Sequence, residues 1–176
     1  MEENGNNTIS FQVKIGVMDI YRFLMYYNYR SFGGVLGVII SLGCLVCLGL
    51  TYQHNELGVN VLYLVLGLLF TVIQPLMLLK KASMQVVSNQ AFRNPLTYEI
   101  GEEQVVIRQE KEEAPIAWEQ VVRTVETKKQ LLLYTSRVNA CIWPKDQMDG
   151  KVEQVKALIE GKIGKEHCNW TKKEEK

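Results

Sequence analysis

Charge is missing from two long stretches of this 176-residue sequence. Phe32–Tyr52 and Gly58–Leu79 contain no Asp, Glu, Lys or Arg, and only Gln53-His54-Asn55-Glu56-Leu57 separates them. A soluble helix of that length shows a charged face to water, and neither stretch can supply one. At ~1.5 Å per residue, runs of about 21 residues reach across the ~30 Å hydrocarbon core of a bilayer. The pair therefore predicts a transmembrane helical hairpin.

Histidine is scarce as well. His54 and His167 are the only two, and this topology puts them on opposite sides of the membrane, where they cannot share a metal or a catalytic centre. His167-Cys168 offers two ligands where a closed zinc site takes four. The cysteines form no disulfide framework: Cys44 and Cys47 lie inside the first stretch, and Cys141 and Cys168 stand far apart. Cys44-Leu45-Val46-Cys47 lacks the βαβ context of a redox motif, and hydrocarbon disfavours a thiolate, so these thiols read as small packing groups. No Ser-His-Asp arrangement can be assembled, and no intramembrane acid or base marks a transport path. The expectation is a protein that is not an enzyme, with no cofactor, no metal site and no small-molecule substrate.

The N-terminal Met1-Glu2-Glu3-Asn4-Gly5-Asn6-Asn7 is acidic and polar, unlike a cleavable signal peptide. From Lys80 onward lie 17 of the 20 basic and 15 of the 19 acidic residues. That balance argues against a nucleic-acid partner, and the length suffices for one small domain. Arg22 and Arg30 precede the first span, Lys80, Lys81 and Arg93 follow the second, and the connecting loop has neither Lys nor Arg. The positive-inside rule places the protein in the cell membrane, multi-pass, with both termini cytoplasmic.

Along the chain, Thr8–Ile15 alternates with Ile9, Phe11, Val13 and Ile15 on one face, the pattern of a half-buried strand. Asp19 reads as the N-cap of a helix to about Tyr29. Tyrosine and arginine just before a span suit the headgroup layer, so Tyr26, Tyr27, Tyr29 and Arg30, with Lys80 and Lys81 beyond the second span, are the expected membrane anchors. A helix packed on the soluble domain is the alternative for residues 19–29. After the hairpin, residues 80–93 continue as a connecting helix until Asn94-Pro95 stops it. Six short runs follow: Leu96–Ile100, Gln104–Gln109, Ala114–Trp118, Val121–Thr127, Leu131–Thr135 and Asn139–Trp143. Tight polar turns join them, which predicts an antiparallel meander. Val152, Val155, Leu158, Ile159 and Ile163 then form one apolar helical stripe that would cover an open end of the sheet. Residues 164–176 lack periodicity and read as a disordered tail.

Within the first span, Gly33, Gly37 and Ser41 form a small-residue ladder that allows close helix approach, either within the hairpin or in self-association. Gln74-Pro75 in the second span frees a carbonyl near Thr71 and predicts a kink. Trp118 and Trp143 read as core residues.

The expected fold class is thus an α+β membrane protein: a transmembrane hairpin (32–79) and an antiparallel PH-like barrel or sheet (94–163) capped by a C-terminal helix. The N-terminal strand could complete that barrel, since the hairpin returns the chain to the same side. Asn94-Pro95-Leu96-Thr97-Tyr98-Glu99-Ile100, Ile116-Ala117-Trp118-Glu119-Gln120-Val121, Thr124-Val125-Glu126-Thr127, Leu131-Leu132-Leu133-Tyr134 and Ile142-Trp143-Pro144-Lys145 together give the sequence its likeness. It resembles the YcxB-like family of bacterial membrane proteins. The resemblance implies two spans and a C-terminal PH-like module, and no agreed activity.

Alternate turns of a meander share an end. One end would gather Glu102, Glu103, Glu119 and Arg137, the other Glu110, Lys111, Glu112, Glu113, Lys128 and Lys129. Neither is a clean basic pocket, which argues against a specific phosphoinositide site. The functional expectation is a membrane-embedded binding or scaffold module whose partners are the lipid bilayer and either a second copy or another membrane protein. The alternative is an accessory or regulatory subunit of a transporter complex.

Overall fold

The computed structural model describes residues 8–110 and 112–171. The acidic N-terminal residues, Lys111 and the tail from Lys172 onward lie outside them. The chain divides into two units: residues up to Asp19 with those from Asn89 onward, and Ile20–Ser88.

The first unit is α+β, built from two four-stranded sheets. One sheet has the order β1-β2-β3-β4, with β1 at Ile9–Val13, β2 at Leu96–Ile100, β3 at Gln104–Gln109 and β4 at Glu112–Ala117. All its pairings are antiparallel. The N-terminal strand therefore joins the strands that follow the hairpin, running from Ile9 opposite Ile100 to Val13 opposite Leu96. Alternation dictates the register: Phe11 and Val13 are buried on β1, and Leu96, Tyr98 and Ile100 on β2. β4 pairs only with β3, and Pro115 stands in it opposite Val106, because an edge strand tolerates a residue with no N–H to donate.

The second sheet has the order β7-β6-β5-β8. β5 is Arg123–Glu126, β6 Gln130–Tyr134, β7 Ala140–Pro144 and β8 Cys168–Asn169. β6 is a continuous apolar run apart from Gln130, and all five of its residues are buried. The aromatic core joins the two sheets, with Phe11 stacked on Tyr98 at 5.8 Å and Trp143 edge-on to both rings at 5.5 Å. α5 spans Val152–Ile163, the range the apolar stripe predicts. Its fully buried residues are Val155 and Ile159, while Leu158 is only half-buried.

Two expectations need correcting. Residues 164–171 are ordered: a 3₁₀ turn at Lys165–His167 leads into β8, which pairs parallel to β5 with Cys168 opposite Thr124. A two-residue strand carries no periodicity, and side-chain contacts fix it instead. Trp170 Nε1 donates to Glu160 Oε2 at 3.0 Å, and Thr171 donates to Glu126 from both its backbone N–H and its hydroxyl. Asp19 is not the N-cap. α1 runs Val17–Arg30, and the Asp19 carboxylate reaches back to accept the Gly16 N–H at 3.0 Å, the return half of a capping box.

The second unit holds α2 at Phe32–Thr51 and a 32-residue helical stretch, Leu57–Ser88. That stretch consists of α3 (Leu57–Leu68), a π-helical turn (Leu69–Ile73) and α4 (Gln74–Ser88). α4 thus continues the second span without a break to Ser88, and a 3₁₀ turn at Gln90–Phe92 follows. Proline at 75 explains the π turn, because a helix missing an N–H can widen by one residue rather than leave the register broken.

Candidate functional site

In the helical unit, small residues let α2 and α3 approach closely. A Cβ at Gly37 would collide with the Phe70 ring, and one at Gly67 would lie 2.5 Å from Leu45. Gly33 faces open space and takes no part, whereas Gly34 is buried against the Asn28 carbonyl. Ser41, which the ladder singles out for its size, acts through its hydroxyl. Oγ donates to Leu66 O at 2.8 Å and accepts the Phe70 N–H at 3.3 Å. Leu66 and Phe70 are four residues apart, the spacing of an α-helical pair. The hydroxyl is therefore inserted between that pair, at the start of the π turn.

The next carbonyl is satisfied from α1. The Gln74 N–H goes to Leu69 O, in the i→i−5 register, and Pro75 has no N–H to offer Phe70. Tyr29 Oη donates to Phe70 O at 2.5 Å. The carbonyl this hydroxyl satisfies is therefore Phe70's, one residue before Thr71. Tyr29, expected among the membrane anchors, makes a packing contact that periodicity could not reveal. Of the other expected anchors, Tyr27, Arg30, Lys80 and Lys81 are exposed, and the Arg30 guanidinium lies 5.6 Å from the centre of the half-buried Tyr26 ring.

Away from these contacts the hairpin is apolar and uncovered. Ile39, Ile40, Val46 and Leu50 of α2 and Val61 and Leu62 of α3 are all at least half exposed. Such a surface is far larger than the apolar patches a soluble monomer shows to water. Both helices are long and apolar enough to cross a membrane. Cys44 and Cys47 are free thiols here.

In the β unit the densest charged cluster surrounds Glu126, whose side chain is 8% exposed. Oε1 meets Lys145 Nζ at 2.6 Å and Oε2 meets Lys156 Nζ at 3.0 Å; Lys156 also reaches Glu153 at 3.4 Å. Burial pushes the Glu126 carboxyl up, but the two lysines outweigh it and hold the group below the ordinary carboxylate value. Burial alone would lower Lys156, but Glu126 and Glu153 hold it above the ordinary lysine value. The Trp170 ring covers this ammonium at 5.4 Å. The cluster ties β5, the 3₁₀ turn after β7 (Lys145–Gln147), α5 and the 164–171 strap together, and every charge in it is matched, as a structural knot requires.

The Cys141 thiol lies beside the buried Tyr98 hydroxyl, and burial raises it to about 11, so it stays protonated and unreactive. The grooves are superficial. One of about 520 Å³ lies along Glu99, Glu102, Glu103 and Lys162, and another of about 570 Å³ along Arg93, Asn94, Glu110 and Glu112. Among the described residues, no three His, Cys, Asp or Glu side chains converge as metal ligands. Sequence reasoning missed the Glu126 knot, because Lys145 and Lys156 are distant in sequence and only the fold brings them together.

The chain therefore combines an α+β unit of two mainly antiparallel sheets with a helical unit of membrane-spanning length. A family model described as YcxB-like protein matches residues 100–160, from the end of β2 to the last turn of α5. The YcxB-like likeness is thus found in the β unit, over the stretch that holds most of its strands. No curated protein and no solved structure matches the chain.

Proposed function

We propose that this chain is a two-span cell-membrane protein with both termini in the cytoplasm, and that its β unit is a PH-like binding or scaffold module without catalytic activity. Strands β1–β4 in one sheet and β5–β7 in the other, followed by α5, have the order of a PH-like barrel, with the hairpin inserted between its first and second strands. One observation carries the reading: β1 ends at Val13 directly opposite Leu96, where β2 begins. The chain thus leaves the module and re-enters it at the same end, so a membrane hairpin can be inserted there without opening the sheet. At ~1.5 Å per residue the second helix is roughly 48 Å long, more than the ~30 Å hydrocarbon core, so its last turns extend beyond it.

Two measurements test the proposal. In intact cells, a membrane-impermeant thiol reagent should label Gln53→Cys and spare Lys151→Cys, with the unsubstituted protein as the background. Labelling at position 151 from outside would overturn the orientation. After mild detergent extraction the protein should be recovered alone or as a homo-oligomer. Recovery in fixed stoichiometry with one larger membrane transporter would replace the scaffold reading with that of an accessory subunit.

A further inference from the structure

The β unit is electrically uneven, and its basic corner includes Lys14, just before the chain leaves the unit at Asp19. The β5–β6 turn, with Lys128 and Lys129, is held against the start of α1: Gln130 Nε2 donates to Asp19 O at 3.0 Å. The same corner is closed by Lys145 N–H to Lys129 O at 3.0 Å. It is closed again by two bonds between Lys14 and Gln147, from Lys14 N–H at 2.7 Å and back to Lys14 O at 3.3 Å. Lys14, Lys128 and Lys129 are all exposed, and none makes an ion pair among the described residues. The nearby acids are largely committed. Glu126 is held by Lys145 and Lys156, and Asp19 caps Gly16, which leaves Asp146. Met18, next in the chain to Asp19, is 49% exposed.

Of the two acidic turns, one lies at the far end and the other on the other sheet. Glu102 and Glu103 stand at the opposite end of β2, where Lys162 of α5 meets Glu102 at 3.3 Å. Glu110 and Glu112 share the basic end but belong to the other sheet, where Glu110 accepts from Asn94 at 2.5 Å. Sequence order puts Lys128 and Lys129 in one group with these glutamates, and the fold separates them by sheet.

We propose that the corner formed by Lys14, Met18, Lys128 and Lys129 rests on the anionic headgroups of the membrane that the hairpin crosses. This rests on the membrane reading above. Three exposed ammonium groups without ion pairs, and an exposed thioether one residue from Asp19, match a negatively charged interface with an apolar layer beneath it. The covalent tether at Asp19 keeps the corner close to the surface, so a weak, salt-sensitive attraction is enough. The contact is to surface charge, not to one headgroup, since the corner forms no enclosed basic pocket.

The test uses the full chain in nanodiscs of phosphatidylcholine, alone or mixed with phosphatidylglycerol, at low ionic strength. A water-soluble N-hydroxysuccinimide ester acetylates accessible lysines, and mass spectrometry reads each rate. Lys14, Lys128 and Lys129 should react several-fold more slowly in the anionic discs, while Lys162 at the far end reacts equally in both. Molar salt should abolish the difference, because it shortens the screening length to ~3 Å. The K128E/K129E variant should return Lys14 to its phosphatidylcholine rate. Equal rates in both lipids, from a protein that resists alkaline extraction, would overturn the contact and leave the membrane reading standing. Release by alkaline extraction would overturn both.

Discussion

Tyr29 donates its phenolic hydrogen to the carbonyl of Phe70 at 2.5 Å, satisfying an acceptor that Pro75 cannot serve. Tyr29→Phe should therefore cost about 1–3 kcal/mol, the penalty of an orphaned acceptor away from water. Pro75→Ala restores an N–H five residues beyond Phe70, in the register that the π turn already uses. The pair should be non-additive: Tyr29→Phe should cost less in the Pro75→Ala background than in the parent. Unfolding of the detergent-solubilised chain measures the four corners of the cycle, and additive losses would show that Tyr29 does not stand in for the missing N–H.

Glu126 and Lys156 fix the response to pH. The Glu126 pKa is lowered from 4.5, so its stabilisation is complete above that value and disappears as pH falls through the lower folded value. The Lys156 pKa is raised from 10.5, so its contribution is complete below that value and disappears as pH rises through the higher folded one. Glu126→Gln leaves the buried Lys156 and the half-buried Lys145 facing an amide and should cost about 1–3 kcal/mol at neutral pH. Thermal melting of the variant should depend less steeply on pH than the parent at both extremes. A variant that melts with the parent's full acid slope would assign that slope to other carboxylates.

Ile159, not Leu158, is the residue of α5 that the core depends on. Leu158 belongs to the apolar stripe but is half-buried, whereas Ile159 is 1% exposed. Ile159→Asp should destabilise the β unit by several kcal/mol, because a carboxylate there has neither water nor a cation. Leu158→Asp should cost distinctly less. Melting curves for the two variants that coincide would mean that α5 is not seated through Ile159.

What could be read from the sequence was whatever repeats along it. The strand alternation of Leu96–Ile100 and Gln104–Gln109 and the stripe of Val152–Ile163 coincide with β2, β3 and α5. The uncharged runs likewise coincide with helices of spanning length. Contacts made by single polar atoms were illegible. Ser41 was visible as a small residue but not as a hydroxyl inserted between Leu66 and Phe70, and Tyr29 resembled an anchor because aromatic composition does not show where an O–H points. The 164–171 strap was hidden for the same reason, since Trp170 and Thr171 hold it through individual bonds to Glu160 and Glu126.

The N-terminal strand completes a sheet whose other strands begin more than eighty residues later, so folding of the β unit must wait until both ends of the hairpin are in place. Phe11 makes this dependence measurable. It is 3% exposed, stacks on Tyr98 and receives the edge of Trp143. Phe11→Ala should cost about 3–5 kcal/mol, the usual range for emptying a buried aromatic position. Because β1 covers the open edge of β2, the loss should not stay local. Hydrogen exchange in the intact protein should accelerate across Leu96–Ile100 as well as Ile9–Val13, while β6, two strands into the other sheet, responds less. Fast exchange across Ile9–Val13 already present in the parent, unchanged by the substitution, would show that the strand does not hold its place beside β2.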